Sequence, residues 1–521
     1  MQVASILNEN EESMKVLTAK LHKKLENGTD SKNVLSLSWS DLTSRLKAGS
    51  ITATSVLNAY QEAALDVHLK TNAVVCFVDG AEEQAKMLDS VPVAERGPLH
   101  GIPVSVKECY DIAGTYSTAG MTMFARNMAE NDSPVVQLVK KLGGVPFCKT
   151  NVPQVMYSLQ CSNPIYGTST NPHGTGKECG GSSGGEGALI GGGGSVFGIG
   201  SDIGGSLRNP AAFCGCYSMK PTVGRHLSQL GVVAGNGPPI PGIPVAGGFM
   251  AQSAAAVEAG WRMVWGLARE DNPQSVDIGV LPMKWDQELY EKKPRIGFFT
   301  TDGLIDPAPG CARAVIEAVD KLTNAGFEVV PVPAPDIYQI MKFFNGIVLA
   351  DCNKTMYKNM SYDIYDSTLN GVVLAMTVYK LPWIIKKLFI NPILGLLTKI
   401  PGISHIFTSS DKLAEGLSSR DEFTMNYLAM MKDHGVDIIL CPGQLLPAPS
   451  TGVLGTFVAA VTPYIPWNVM NFPAGIAPIT KWSSTDDDNM ETYPTNDLAY
   501  KMIRDYCKDA MEMPLAVQVT S

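Results

Sequence analysis

The chain has 521 residues, a net charge of −9, 45% hydrophobic residues and 17% charged residues. The acidity argues against a nucleic-acid surface, which needs clustered lysine and arginine, and the hydrophobic content supports one large core. Length alone allows several domains, yet no Pro/Ser-rich linker or charge block divides the chain. The eleven cysteines are scattered, odd in number and not spaced with the seven histidines for metal binding, which is the pattern of a reduced intracellular protein.

Met1 to Asp30 is polar and charged, so no secretory peptide is expected. We read residues 1–35 as a polar extension and 36–521 as one domain. Ser40 is expected to cap a helix through Lys47, stopped by Gly49, and a second helix follows through Val56, Leu57, Tyr60 and Ala64. Ile102 to Val106 reads as a strand. Pro134 opens a helix through Leu142, Gly143-Gly144 ends it, and Val145 to Lys149 returns as a strand. The same unit recurs as Arg295–Phe299, Cys311–Ala325 and Phe327–Val332. Alternation of this kind predicts an α/β fold: a twisted, mixed, largely parallel sheet covered by helices on both faces. Asp437 to Lys481 has no charge between its ends and is broken by prolines, so it reads as strands and loops lining an apolar interior.

Between Gly180 and Pro210 the chain reads GGSSGGEGA, then GGGGS, then GIGSDIGGSLRNP. Glycines let the backbone approach a reacting carbonyl, and amides aimed at a developing oxyanion are a large catalytic effect. Other uses of glycine fit less well. No lysine lies between Lys177 and Lys220, which removes a P-loop. Gly198 to Ile203 lacks the last glycine of a dinucleotide fingerprint. Gly181-Ser-Ser-Gly-Gly185 fits a nucleophile elbow, but the later His226, His405 and His434 sit in no suggestive setting.

Lys107, at the end of an apolar strand, and Ser182 and Ser206, each after a Gly-Gly pair, form a candidate relay. The long pattern GGSSGG followed by DIGGSxR resembles the amidase signature family. That resemblance implies Ser206 as nucleophile, Ser182 in a cis peptide as proton relay, and Lys107 as base, and the spacing of the three suits it. Lysine serves as a base only if burial keeps it neutral. The amides of Ile203, Gly204, Gly205 and Ser206 are expected to form the oxyanion hole. Ser183, Asp202 and Arg208 are expected to support the loop.

Tyr379 to Pro401 carries apolar Trp383, Ile384, Leu388, Phe389, Ile393, Leu394 and Leu397 between lysines and prolines. The uncharged run Leu388 to Thr398 is too short to span a bilayer, which takes about 20 apolar residues. We read about 379–407 as a helical cap lying in the membrane interface; a buried hairpin or dimer contact is the alternative. With Lys107-Glu-Cys109, Cys161-Ser-Asn-Pro164 and Asn471-Phe-Pro-Ala-Gly475, the chain is similar to the fatty-acid amide hydrolases of that family. This implies hydrolysis of N-acylethanolamines such as anandamide and primary amides such as oleamide, with Met156 contacting substrate. It also implies a homodimer peripheral on an endomembrane, open to the cytosol, with no metal or organic cofactor. Two departures stand out: Gln252 replaces an arginine of the pattern, and the polar start leaves attachment to the cap. A soluble general amidase or amidotransferase subunit, and an inactive lipid-binding scaffold, are the competing expectations.

Overall fold

In a computed structural model of the chain, strands and helices alternate around one large mixed sheet. The structure describes residues 5, 8–9, 12, 15–16, 31–225, 227–233, 242–266, 281, 284–366, 381–385, 388, 410–455 and 457–521. Among these, the strands are β1 (Val74–Phe77), β2 (Pro103–Lys107), β3 (Val145–Thr150), β4 (Ser162–Asn163), β5 (Gly167–Thr168), β6 (Phe197–Asp202), β7 (Tyr217–Lys220), β8 (Ala246–Ala251), β9 (Ile296–Phe298), β10 (Val329–Pro331), β11 (Ile438–Pro442), β12 (Ala474–Lys481) and β13 (Pro514–Thr520).

Eleven strands form the sheet, in the order β1-β3-β2-β6-β8-β7-β12-β13-β11-β9-β10, while β4 and β5 pair separately. β2 runs parallel to β3 and β6, and β9 runs parallel to β10 and β11. These parallel ladders centre on the two strand–helix–strand units read from the sequence, whose helices are Pro134–Lys141 and Pro309–Asn324. The strands between them pair antiparallel. Every residue of β2, β3, β6 and β8 is buried. Successive strand side chains point to opposite faces, so both faces of this half are covered.

The helix expected from Ser40 through Lys47, here α1 (Trp39–Ala48), is capped by Ser38, whose hydroxyl accepts from the Asp41 amide at 3.1 Å, and not by Ser40. Trp39 belongs to the helix and packs on Phe197, centroid to centroid 5.5 Å, which moves the start forward. Gly49 ends it with φ +77°, the left-handed conformation that favours glycine. The second helix, α2, spans Ala53–Thr71. Between β11 and β12 the sequence reading of strands and loops missed a short helix, Ile465–Val469, with Pro466 in its first turn and Trp467 fully buried.

Of the expected cap, Trp383–Ile385 forms a helical turn, and Ile384 and Leu388 are 53% and 60% exposed. Phe389, Ile393, Leu394 and Leu397 lie outside the described residues. Among the described residues no helix is long and apolar enough to cross a membrane.

Candidate active site

The site is assembled where β2 and β6 end. Lys107 is the last residue of β2 and is fully buried. Its Nζ donates to Ser182 Oγ at 2.8 Å and to Ser201 Oγ at 3.0 Å. Burial pulls its pKa down, against the attraction of Cys109, Asp202, Cys161 and Glu186. An amine held by hydroxyls, with no carboxylate in contact, gives up its proton more readily than a solvated lysine.

Ser182 follows a cis Gly181–Ser182 peptide bond, as the resemblance implies. The Gly181 amide donates to Asn209 Oδ1 at 3.1 Å. Gly180 takes φ +82°, and a side chain there would strike Asn209 and Pro210. The next helix, α3 (Gly184–Gly191), carries Glu186 in its first turn. Ser183 ties the turn to its surroundings: its amide donates to Ser206 O at 3.1 Å and its hydroxyl to Ser201 O at 3.4 Å.

From β6 the chain turns through Ile203, Gly204, Gly205 and Ser206 into a short helix, Arg208–Cys214. Asp202 and Arg208 anchor that turn. The guanidinium donates to Asp202 Oδ2 at 3.0 Å and Oδ1 at 2.9 Å, and both side chains are fully buried. Burial pushes the Asp202 carboxyl up, but Arg208 outweighs it and holds the group below the ordinary carboxylate range. Asp202 also accepts from the Gly205 amide at 2.8 Å and the Leu207 amide at 3.1 Å.

This bears on the expected oxyanion hole. The Gly205 amide is committed to Asp202 and points into the anchor. The amides of Ile203, Gly204 and Ser206 make no hydrogen bond among the described residues. Gly205 is required by φ +113° and by Tyr464, whose ring a side chain would strike. Above Gly204 lie Ile465 and Phe344, giving the turn an apolar outlook.

The structure brings Lys107 and Ser182 into direct contact. It brings Ser206 close to the same turn through its carbonyl, but no hydrogen bond joins the Ser182 and Ser206 hydroxyls among the described residues. Ser206 is buried, with 8% exposure. Met156 sits in the turn after β3, partly buried, with φ 56° following Val155 at 63°. Gln252, in place of the patterned arginine, donates to Ser195 O at 3.0 Å. A cavity of about 520 Å³ lies apart from these residues, against Trp261, Trp265 and Trp285.

Sequence reasoning missed Ser201, the second acceptor of Lys107, although it lies inside the glycine-rich stretch. It also missed Tyr464, Asn468 and Gln518, which complete the shell of Arg208 from far along the chain.

The amidase family profile matches residues 55–521. The chain belongs to the amidase signature family. It is 34% identical over 496 residues to fatty acid amide hydrolase 1 of Caenorhabditis elegans, covering 93% of this chain and 85% of that one. It is also 34% identical to fatty-acid amide hydrolase 1 of Sus scrofa, covering 94% and 83%. A putative amidase of Schizosaccharomyces pombe is 30% identical over 92% of this chain and 84% of its own. In fold, a solved fatty acid amide hydrolase superposes with TM-score 0.79 at 24% identity, covering 100% of this chain and 87% of that one. The chain is thus an amidase-signature hydrolase related to the fatty acid amide hydrolases.

Proposed function

We propose that this hydrolase cleaves fatty-acid amides, N-acylethanolamines such as anandamide and primary amides such as oleamide, to free fatty acid and amine. The observation that carries the chemistry is the fully buried Lys107 amine, 2.8 Å from Ser182 Oγ and beside a turn with three unengaged amides. Neutral Lys107 takes a proton from Ser182 as Ser182 takes one from Ser206. Ser206 Oγ then attacks the amide carbonyl. The amides of Ile203, Gly204 and Ser206 receive the oxyanion. Ser182 returns the proton to the departing amine, and water releases the fatty acid from the acyl-enzyme by the reverse path. Ser182 and Ser206 close to hydrogen-bonding distance when substrate is bound, as catalytic contacts do in Michaelis complexes.

Two things support the lipid substrate: the names of the related proteins and the apolar surroundings of the turn, with Phe344, Ile465 and the Met156 turn as acyl-chain contacts. Exposed Ile384, Ile385 and Leu388 support interfacial attachment through the 379–407 segment. The reading extends to a homodimer, peripheral on an intracellular membrane, with residues 1–35 as a polar extension.

The test is a panel of long-chain and short-chain amides, scored by mass spectrometry of the released acid, with Ser206→Ala as control. Release of long-chain acids by the native chain, lost in Ser206→Ala by about 10⁴-fold or more, supports the reading. Turnover of short polar amides alone would point to a general amidase.

A further inference from the structure

Glu186 occupies the first turn of α3, the helix that follows Ser182 and Ser183. Hydroxyls from two strands hold its two oxygens: Ser105 Oγ donates to Oε2 at 2.7 Å and Thr150 Oγ1 to Oε1 at 2.7 Å. Ser105 shares a face of β2 with Lys107, and Thr150 stands opposite Lys107 in the β2–β3 register. The carboxylate therefore crosses both strands at the level of the amine. Gly198, opposite Ser105 on β6, leaves room for it, since a side chain there would collide with Glu186. Ser195 continues the hydroxyl chain, 2.9 Å from Ser105, and Gln252 secures the Ser195 carbonyl. Hydroxyls thus engage both oxygens of the carboxyl.

We propose that Glu186 is the positioning residue of the relay: it braces the Ser182 helix against β2 and β3 and sets one negative charge behind Lys107. The inference rests on Lys107 acting as the base. The attraction is mutual, because Lys107 lowers the pKa of Glu186 while burial pushes it up to about 7. The other groups facing Lys107 are Cys109 just beyond β2, Asp202 at the end of β6 and Cys161 just before β4; Cys148 and Cys216 face Glu186. Burial pushes the Cys109 thiol up to about 12 and raises Cys148 and Cys216, so these three stay uncharged. Burial also pushes the Cys161 thiol up, and hydrogen bonds with Cys179 and Ser169 more than offset it. Asp202 is matched by Arg208. Two buried carboxylates close to Lys107 have no ion-pair partner among the described residues: Glu108, which accepts from Thr118 and Ala119, and Glu186, whose charge acts on the amine.

The experiment measures the rate of Ser206 labelling by a fluorophosphonate across pH in the native chain, Glu186→Gln and Glu186→Asp. Glu186 is ionised above about pH 7, and there removing the charge weakens the hold of Lys107 on its proton, so over that range the acid limb of Glu186→Gln should move to lower pH by about one unit. Glu186→Asp keeps the charge but shortens the brace, so its acid limb should stay and its plateau fall by about tenfold or more. A Glu186→Gln limb superimposed on the native one overturns the proposal, as does a native plateau in Glu186→Asp. Should the aspartate variant fail to fold, the glutamine profile decides alone. No Ser206-dependent labelling of the native chain sinks the hydrolase reading and this inference together; native labelling with an unmoved profile sinks only this inference.

Discussion

Two buried basic side chains, bonded to the adjacent residues Ser201 and Asp202 at the end of β6, are treated in opposite ways. Arg208 meets Asp202 through two bonds and fills its remaining donors with Tyr464 O, Gln518 Oε1 and Asn468 Oδ1. Among the described residues, Lys107 meets only oxygens without charge, on Ser182 and Ser201. The first arrangement keeps both partners ionised and makes them structural. The second withholds a counter-ion from contact and leaves burial to favour the neutral amine, which is the condition for a base. The partners separate the residue that anchors the turn from the one we propose as the base.

The contrast is most sharply broken at Lys107. Lys107→Met, close in volume and without an amine, should lower kcat by about 10³- to 10⁴-fold while leaving the thermal midpoint equal or higher. The sign of the stability effect follows from the lowered pKa. The unfolded chain takes a proton on this lysine below its ordinary value, and the folded chain resists it, so native stability rises with pH between the two values and is flat below the lower and above the higher. Lys107→Met should flatten that slope in thermal melts run across pH. A steeper slope would contradict a neutral amine.

Arg208→Ala should do the reverse. It strands a buried carboxylate, which typically costs about 3–5 kcal/mol of stability, read as a lower denaturant midpoint. The Asp202 contribution is present above the unfolded carboxylate pKa, about 3.9, and is lost only as pH falls through the lower folded value. In Arg208→Ala burial raises the Asp202 pKa with its main opponent gone, so acid protonates the stranded carboxyl and the deficit should shrink from neutral to weakly acidic pH. Ser201→Ala sharpens the comparison with the smallest effect: one neutral hydrogen bond, about 1 kcal/mol, or a few-fold in kcat with little change in melting.

The residues of the proposed relay were legible in the sequence because they lie in dense local patterns. Strand ends, Gly-Gly pairs and the DIGGSxR run placed Lys107, Ser182 and Ser206 without tertiary information. Ser38 took the cap assigned to Ser40 because Trp39 packs on Phe197, a contact that chain order does not reveal. Gly205 was grouped with its neighbours as an amide donor, yet only the folded position of Asp202 shows that its N–H turns inward. The sheet order was also hidden, since β13 inserts between β11 and β12 through pairing alone. Tyr464, Asn468 and Gln518 carry no local signature; distance along the chain separates them from the turn they secure.

That last arrangement has a bearing on synthesis. Lys107, Ser182 and Ser206 leave the ribosome long before Gln518, whose side chain closes the shell of Arg208. Until β13 slots between its neighbours, the turn that carries Ser206 lacks one of the contacts that fasten it. The anchor of that turn is thus completed by a strand whose Gln518 lies 310 residues beyond Arg208, so it forms only once β13 has docked.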